Sequence, residues 1–209
     1  MWVGDADSLS GPAGDPSAVS SLPLSETVDV EPLGHSFGRG AASTAGQGSA
    51  GNVSCDDEQL SATTVGDLVV PRGQWCDVIA STVTGNLTLA PGSQGLRVAG
   101  STIDGNLVSV AAGEAADPLS SGLDVVCNTT IKGNLLVTAS SGATPWDIGL
   151  CGGNTIGGNL VFNANRATGN SITGNRVGGN LVCNANGGVT VSADATSGRS
   201  VGQCRQQGS

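Results

Sequence analysis

The stretch Ile156-Gly157-Gly158-Asn159-Leu160 returns at Val177-Gly178-Gly179-Asn180-Leu181, and this repetition decides the fold. The same five-residue string stands at Val83-Thr84-Gly85-Asn86-Leu87, Ile103-Asp104-Gly105-Asn106-Leu107 and Ile131-Lys132-Gly133-Asn134-Leu135, with a degenerate first copy at Val65-Gly66-Asp67-Leu68. Glycine to glycine, the steps are 19, 20, 28, 25 and 21 residues. Self-similarity at such a period signals units that bury a core only by stacking.

Each string has a local logic. The branched residue two before Gly and the Leu after Asn are strand formers with polar neighbours. Gly supplies a backbone position that a Cβ would obstruct. If each repeat is one coil, equivalent residues stack roughly 4.8 Å apart. Val83, Ile103, Ile131, Ile156 and Val177 then form one inward ladder, and Leu87, Leu107, Leu135, Leu160 and Leu181 a second. Asn86, Asn106, Asn134, Asn159 and Asn180 form a third, expected to be buried and amide-paired along the axis. Burial would also protect Asn86, which opens the sequon Asn86-Leu87-Thr88. A helical solenoid would show stripes of period 3.6, and none appear. A left-handed hexapeptide helix needs strict six-residue spacing. A β-sandwich would not repeat one motif in register. The reading is an all-β, right-handed parallel β-helix of about six to seven coils over residues 55–204. It is flanked by a disordered Gly/Ser/Pro/acidic tail at 1–54 and a short tail at 205–209.

The composition agrees. Gly is 34 of 209 residues, aromatics are 2% and Tyr is absent, which suits a narrow interior of small and branched side chains. The formal charge of −9 on only eight Lys+Arg argues against nucleic acid or anionic lipid. No apolar run is long enough for a transmembrane helix. No secretory leader pattern follows Met1, so any leader is expected upstream or already removed.

Six Cys with no CxxC, and His35 as the only His, disfavour zinc and favour disulfides in an oxidising compartment. The intervals Cys55 to Cys76, Cys127 to Cys151 and Cys183 to Cys204 are each about one coil, at 21, 24 and 21 residues. Cys on adjacent coils lie within disulfide reach, so these three pairs are expected. Asp follows both Cys55 and Cys76, as it would in stacked equivalents.

The C-terminal run Asn175-Arg176-Val177-Gly178-Gly179-Asn180-Leu181-Val182-Cys183-Asn184-Ala185-Asn186, ending near Val201-Gly202-Gln203-Cys204, resembles a group of secreted actinobacterial β-helix proteins with no known function. The resemblance covers roughly residues 55–204 and implies fold and secretion, not chemistry. A weaker likeness is to bactofilins, cytoskeletal β-helix proteins that polymerise end to end. Bactofilins are cytosolic and need no disulfides, and the six Cys stand against that reading.

Gly46-Gln47-Gly48-Ser49-Ala50-Gly51 matches a dinucleotide fingerprint but has no strand before it or helix after it. A nucleophilic site would have to recruit His35 from the tail. Asp104 and Lys132 are expected to stack as a surface ion pair rather than serve as lyase groups. Asp56-Asp57-Glu58 reads as solvated cap charge, with a calcium site as the sharper alternative. Thr82, Thr102, Thr130 and Thr155 stack as a column, but the second column an ice-binding array needs reads Thr84, Asp104, Lys132, Gly157 and fails. The two long steps suggest insertions at one coil position, Ala111–Ser121 and Ala139–Pro145, protruding side by side. Glu114, Asp117, Trp146 and Asp147 there form a candidate contact surface, unless Trp146 tucks against the coil.

These readings favour a non-catalytic extracellular or cell-surface scaffold or binding module with no cofactor or metal. Its expected partner is a polysaccharide or another surface protein. A β-helix carbohydrate-active enzyme and a self-assembling structural protein are the alternatives. Acid at the first coil and a tethered tail at the last oppose end-to-end stacking, so a monomer is expected.

Overall fold

The computed structural model describes residues 50–114 and 122–205. Every regular element within them is a strand, and the strands form three parallel sheets. Sheet A has eight, from Val53–Ser54 to Ser200–Gly202. Sheets B and C have seven each, from Glu58–Ser61 to Val189–Ser192 and from Thr64–Val65 to Ala195–Thr196. The chain visits A, B and C in order and returns to A one coil further along. Seven such turns and a final strand make a parallel β-helix. No described helix is long and apolar enough to cross a membrane.

The solenoid starts ahead of Cys55. Val53 and Ser54 pair with Leu68 and Val69, and the Val53 N–H donates to the Asp67 carbonyl at 2.8 Å. Val53 thereby heads the Leu column of sheet A. Residues 1–49 and 206–209, most of the two assigned tails, lie outside the described residues.

Three apolar ladders fill the interior. Sheet C contributes Val65, Val83, Ile103, Ile131, Ile156 and Val177; sheet A contributes Leu68 and the five expected Leu, each paired with its equivalent on the next coil and buried. The third ladder, on sheet B, is Leu60, Val78, Val98, Val126, Ile148 and Ile172. It closes a three-sided core that no single coil could build.

The corners turn on left-handed residues at repeating places. Ala62, Ala80, Asn128 and Ala193 follow sheet B strands with φ of 47–56°, and Ala111, Ala139, Ala164 and Ala185 follow sheet A strands with φ of 54–58°. Ala stands where Gly is the easier choice, as Gly100 is at φ 61°.

The two long repeats are not built alike. Six residues, 90–95, join Leu89 to Leu96, but fourteen, 110–123, join their equivalents Ser109 and Asp124. In the next coil eight, 138–145, join Val137 to Trp146. The remaining extra residues sit at the other corner, where 149–154 replace a stretch that is only 127–129 one coil earlier. Two matched insertions were expected after sheet A; the second is split instead. Its larger part carries Cys151, which reaches back to Cys127.

Candidate functional site

All three expected disulfides are present: Cys55–Cys76, Cys127–Cys151 and Cys183–Cys204, with Cα separations of 5.7, 5.6 and 5.1 Å. The partners are not stacked equivalents, however. Cys76 pairs in register with Glu58, Asp77 with Gln59, and Cys183 with Gly202. Asp56 and Asp77 are therefore not counterparts. Each bridge runs obliquely, tying a strand residue of one coil (Cys76, Cys127 or Cys183) to a corner residue of its neighbour (Cys55, Cys151 or Cys204).

The Asn ladder exists, with a different environment from the one expected. Asn106 Nδ2 donates to Asn86 Oδ1 at 3.1 Å, Asn134 to Asn106 at 3.0 Å, Asn159 to Asn134 at 3.1 Å and Asn180 to Asn159 at 3.2 Å. Each Oδ1 also accepts the backbone N–H of the following Asn. Asp67 Oδ1 takes the same two bonds from Asn86, and Asn180 Oδ1 accepts the Arg199 N–H. Yet Asn106, Asn134 and Asn159 are half-buried, and Asn86 and Asn180 are exposed. The side chains lie along the outer rim of the corner, stacked against glycines rather than pointing into the core. Burial does not shield the Asn86 sequon; its amide is instead engaged on both sides.

Two further polar ladders were missed. Ser81, Ser101, Thr129, Asn154 and Asn175 line the corner between sheets B and C, all buried. The Ser81 N–H donates to Ser101 Oγ, Thr129 N–H to Asn154 Oδ1, Asn154 N–H to Asn175 Oδ1, and Asn175 N–H to Asp194 Oδ1, at 2.7–3.1 Å. The sequence carried this signal: each of the five stands four residues before its motif glycine. At the corner between A and B, the Ser140 N–H donates to Asn165 Oδ1, Asn165 to Asn186 and Asn186 to Gln203 Oε1. Its signal was the repeated tripeptide Asn163-Ala164-Asn165 and Asn184-Ala185-Asn186.

The candidate contact surface does not assemble. Trp146 is 0% exposed, and its Nε1–H donates to Ser140 Oγ at 3.1 Å. Its column neighbours Asp124 and Asn170 are short, which leaves the interior wide enough for an indole. Asp147 is 8% exposed and accepts the Leu150 N–H. Glu114 is exposed; Asp117 lies outside the described residues. The described start of the first insertion and the second lie one on the other, the Ser141 N–H donating to the Ala112 carbonyl at 2.9 Å.

Charged groups are placed as follows. Lys132 Nζ meets Asp104 at 2.7 Å on the exposed side of sheet C, the expected surface pair. Arg97 approaches the buried Asp77 at 3.8 Å on sheet B. Asp57 accepts the Trp75 N–H, so one member of the acidic run caps the next coil. The Thr column extends to Thr64 at one end and gives way to Arg176 at the other. Burial raises the Asp194 carboxyl above the usual Asp value, opposed by its bonds from Asn175, and its Oδ2 is buried without a hydrogen bond.

Sheet A differs from the other two on its outside. None of the residues in its eight strands is charged. An outward column runs from Ser54 through Val69, Thr88, Val108, Leu136, Val161 and Val182 to Val201.

The chain matches no family model, no curated protein and no solved structure.

Proposed function

We propose that this chain is a non-catalytic extracellular or cell-surface β-solenoid, a rigid scaffold or binding module whose partner is a polysaccharide or another surface protein. The observation that carries the reading is the cross-linking of successive coils. Covalent bridges join adjacent coils near the start, in the middle and at the end, and polar ladders join them at the corners between. Disulfides persist in oxidising compartments, which supports placement outside the cytosol. A stack held this way resists local opening and presents its three faces at fixed spacing, the property a scaffold needs.

Two measurements test the reading. Cell fractionation followed by thiol labelling of the unreduced, denatured protein is expected to find it in the medium or envelope fraction with every Cys blocked. Free thiols in a cytosolic pool would overturn the placement. A glycan array run beside a reducing-sugar assay is expected to give saturable binding without product; sugar release would favour the carbohydrate-active enzyme instead.

A further inference from the structure

We propose that Cys151 is a thiol-exchange site, at which an external low-molecular-weight monothiol opens the Cys127–Cys151 bridge and stays on Cys151 as a mixed disulfide.

The three bridges differ in what solvent reaches. Cys55, Cys76, Cys183 and Cys204 are each 0% exposed, so a nucleophile has no approach to the first or last bridge while the coils are closed. In the middle bridge Cys127 is also 0% exposed, but Cys151 is exposed. Its neighbours in sequence do not screen it. Leu150 is 67% exposed, and Gly152 and Gly153 carry no side chain. Exchange proceeds by attack of a thiolate on one sulfur of a disulfide, so access decides which bridge reacts and at which end. Access here selects the middle bridge and its Cys151 end.

The step balances without an oxidant. The incoming thiolate forms a bond to Cys151 Sγ with its own electron pair. The bond to Cys127 breaks, its pair leaves on Cys127 Sγ, and that sulfur takes a proton from water. One disulfide is consumed and one is formed. The small thiol then sits on the exposed sulfur, and the free thiol is the buried one. Attack at the other end would place the adduct on Cys127, inside a packed interior with no room for it.

The backbone makes the site reversible. The residues that follow the two cysteines are bonded to each other, the Asn128 N–H donating to the Gly152 carbonyl at 2.6 Å. The Gly152 N–H donates to the Gly149 carbonyl at 3.0 Å, and the Gly149 N–H to the Val126 carbonyl at 2.8 Å. The buried Asn154 ties the same corner to Asn175 on the next coil. None of these bonds passes through sulfur, so the corner keeps its place when the bridge opens. Cys127 stays beside Cys151, where the Cα atoms lie 5.6 Å apart, and expels the small thiol by the reverse step once free thiol is withdrawn. The scaffold thereby carries a covalent attachment point in the middle of its stack.

Peptide mapping of the full chain is the test, after incubation at neutral pH with about 5 mM 2-mercaptoethanol, acid quenching and alkylation. That thiol is uncharged, so the −9 charge of the chain does not repel it. The expected product has the adduct on Cys151, an alkylated Cys127 and both other bridges intact. A second thiol attacking the same exposed sulfur removes the adduct, so fully opened chains are expected to show Cys127 and Cys151 both alkylated. The first and last bridges are expected to react roughly a hundredfold more slowly or less, because they wait on opening of their coils. In urea that unfolds the chain the preference is expected to vanish, and removing the thiol from folded chains is expected to close the bridge again. An adduct chiefly on Cys127 overturns the proposal. So does a first or last bridge that opens as fast as the middle one in the folded chain, or a folded chain that takes no adduct while the unfolded chain does.

Discussion

The ladder at the corner from sheet C to sheet A and the ladder at the corner from B to C carry the same kind of hydrogen bond in opposite senses. In the first, each backbone N–H donates back to the coil before it, as Asn134 does to Asn106 Oδ1 at 2.9 Å. In the second it donates forward, as Asn154 does to Asn175 Oδ1 at 3.1 Å. The first is half-exposed and almost entirely Asn. The second is buried and varied, passing from Ser81 and Ser101 through Thr129 to Asn154, Asn175 and Asp194. Exposure would usually predict the reverse, with the buried ladder the stricter. The difference lies in what each oxygen rests against. On the outer rim, a Cβ built on Gly133 would lie 2.6 Å from both Asn106 Oδ1 and the Gly105 carbonyl. The glycine of each repeat is the space in which the previous Asn lies, so neither can change alone. The inner ladder asks only for an acceptor oxygen at the right height, and Ser, Thr, Asn and Asp all supply one.

This coupling predicts the largest effect. Gly133→Ala has to displace the Asn106 amide or part the two coils, and is expected to cost about 3 kcal/mol or more in urea unfolding. Gly73→Ala is the comparison. Its φ is 76°, but nothing lies within 4 Å of the added methyl, so only backbone strain of about 1–2 kcal/mol is expected. Equal losses would mean that the motif glycine serves conformation rather than room.

Next comes the comparison between the ladders themselves. Asn154 is buried, and its Nδ2 donates both to the Val126 carbonyl and to Asn175 Oδ1 at 2.8 Å. Asn154→Ala leaves the Thr129 N–H unpaired away from water, while the Val126 carbonyl keeps the Gly149 N–H, at an expected cost of about 2–3 kcal/mol. Asn134→Ala on the half-exposed rim lets water substitute and is expected to cost about 1 kcal/mol. Parity in melting temperature would show that burial does not separate the two.

The motif fixed more than its five residues suggested. The Leu and Val/Ile columns were readable because they keep a nearly constant offset from the glycine, and the Cys pairing because each interval is about one coil. The sheet B column was equally readable: Val78, Val98, Val126 and Ile172 each stand seven residues before a motif glycine. Leu60 stands at six, before the degenerate first copy, and Ile148 at ten, because the corner holding Cys151 intervenes. Trp146 was a different problem. An aromatic after a loop insertion reads as a surface residue, and its burial depends on the short Asp124 and Asn170 above and below it, a relation between coils that no local pattern expresses.

The end of the inner ladder gives a smaller effect with a pH signature. Asp194 accepts from Asn175 through Oδ1, while Oδ2 occupies the position from which Asn154 and Asn175 donate to carbonyls. Its raised pKa means that the folded state holds the proton more tightly than the unfolded chain. The stability this contributes is complete below the unfolded value and is lost as pH rises through the folded one. Asp194→Asn restores the donor and removes the titration. It is expected to gain about 1 kcal/mol at neutral pH, shrinking toward zero below about pH 4. A gain independent of pH would place the benefit elsewhere.

The smallest effect concerns the corners, where the left-handed residue is Ala80 in one coil and Gly100 in the next. The two sites are equivalent, each following a paired strand of sheet B. A methyl built on Gly100 meets nothing within 4 Å, so the Ala80 methyl is expected to gain little from packing. Ala80→Gly relieves about 1–2 kcal/mol of left-handed strain and gives back about 0.4–1 kcal/mol through the freer unfolded chain. The expected net is a gain within about 1 kcal/mol, and Gly100→Ala should lose a similar amount. Opposite signs in the pair would show that the corner tolerates either residue on backbone terms alone. A clear loss from Ala80→Gly would show that the methyl packs, and that the inner corner, like the outer rim, is specified by contact between coils.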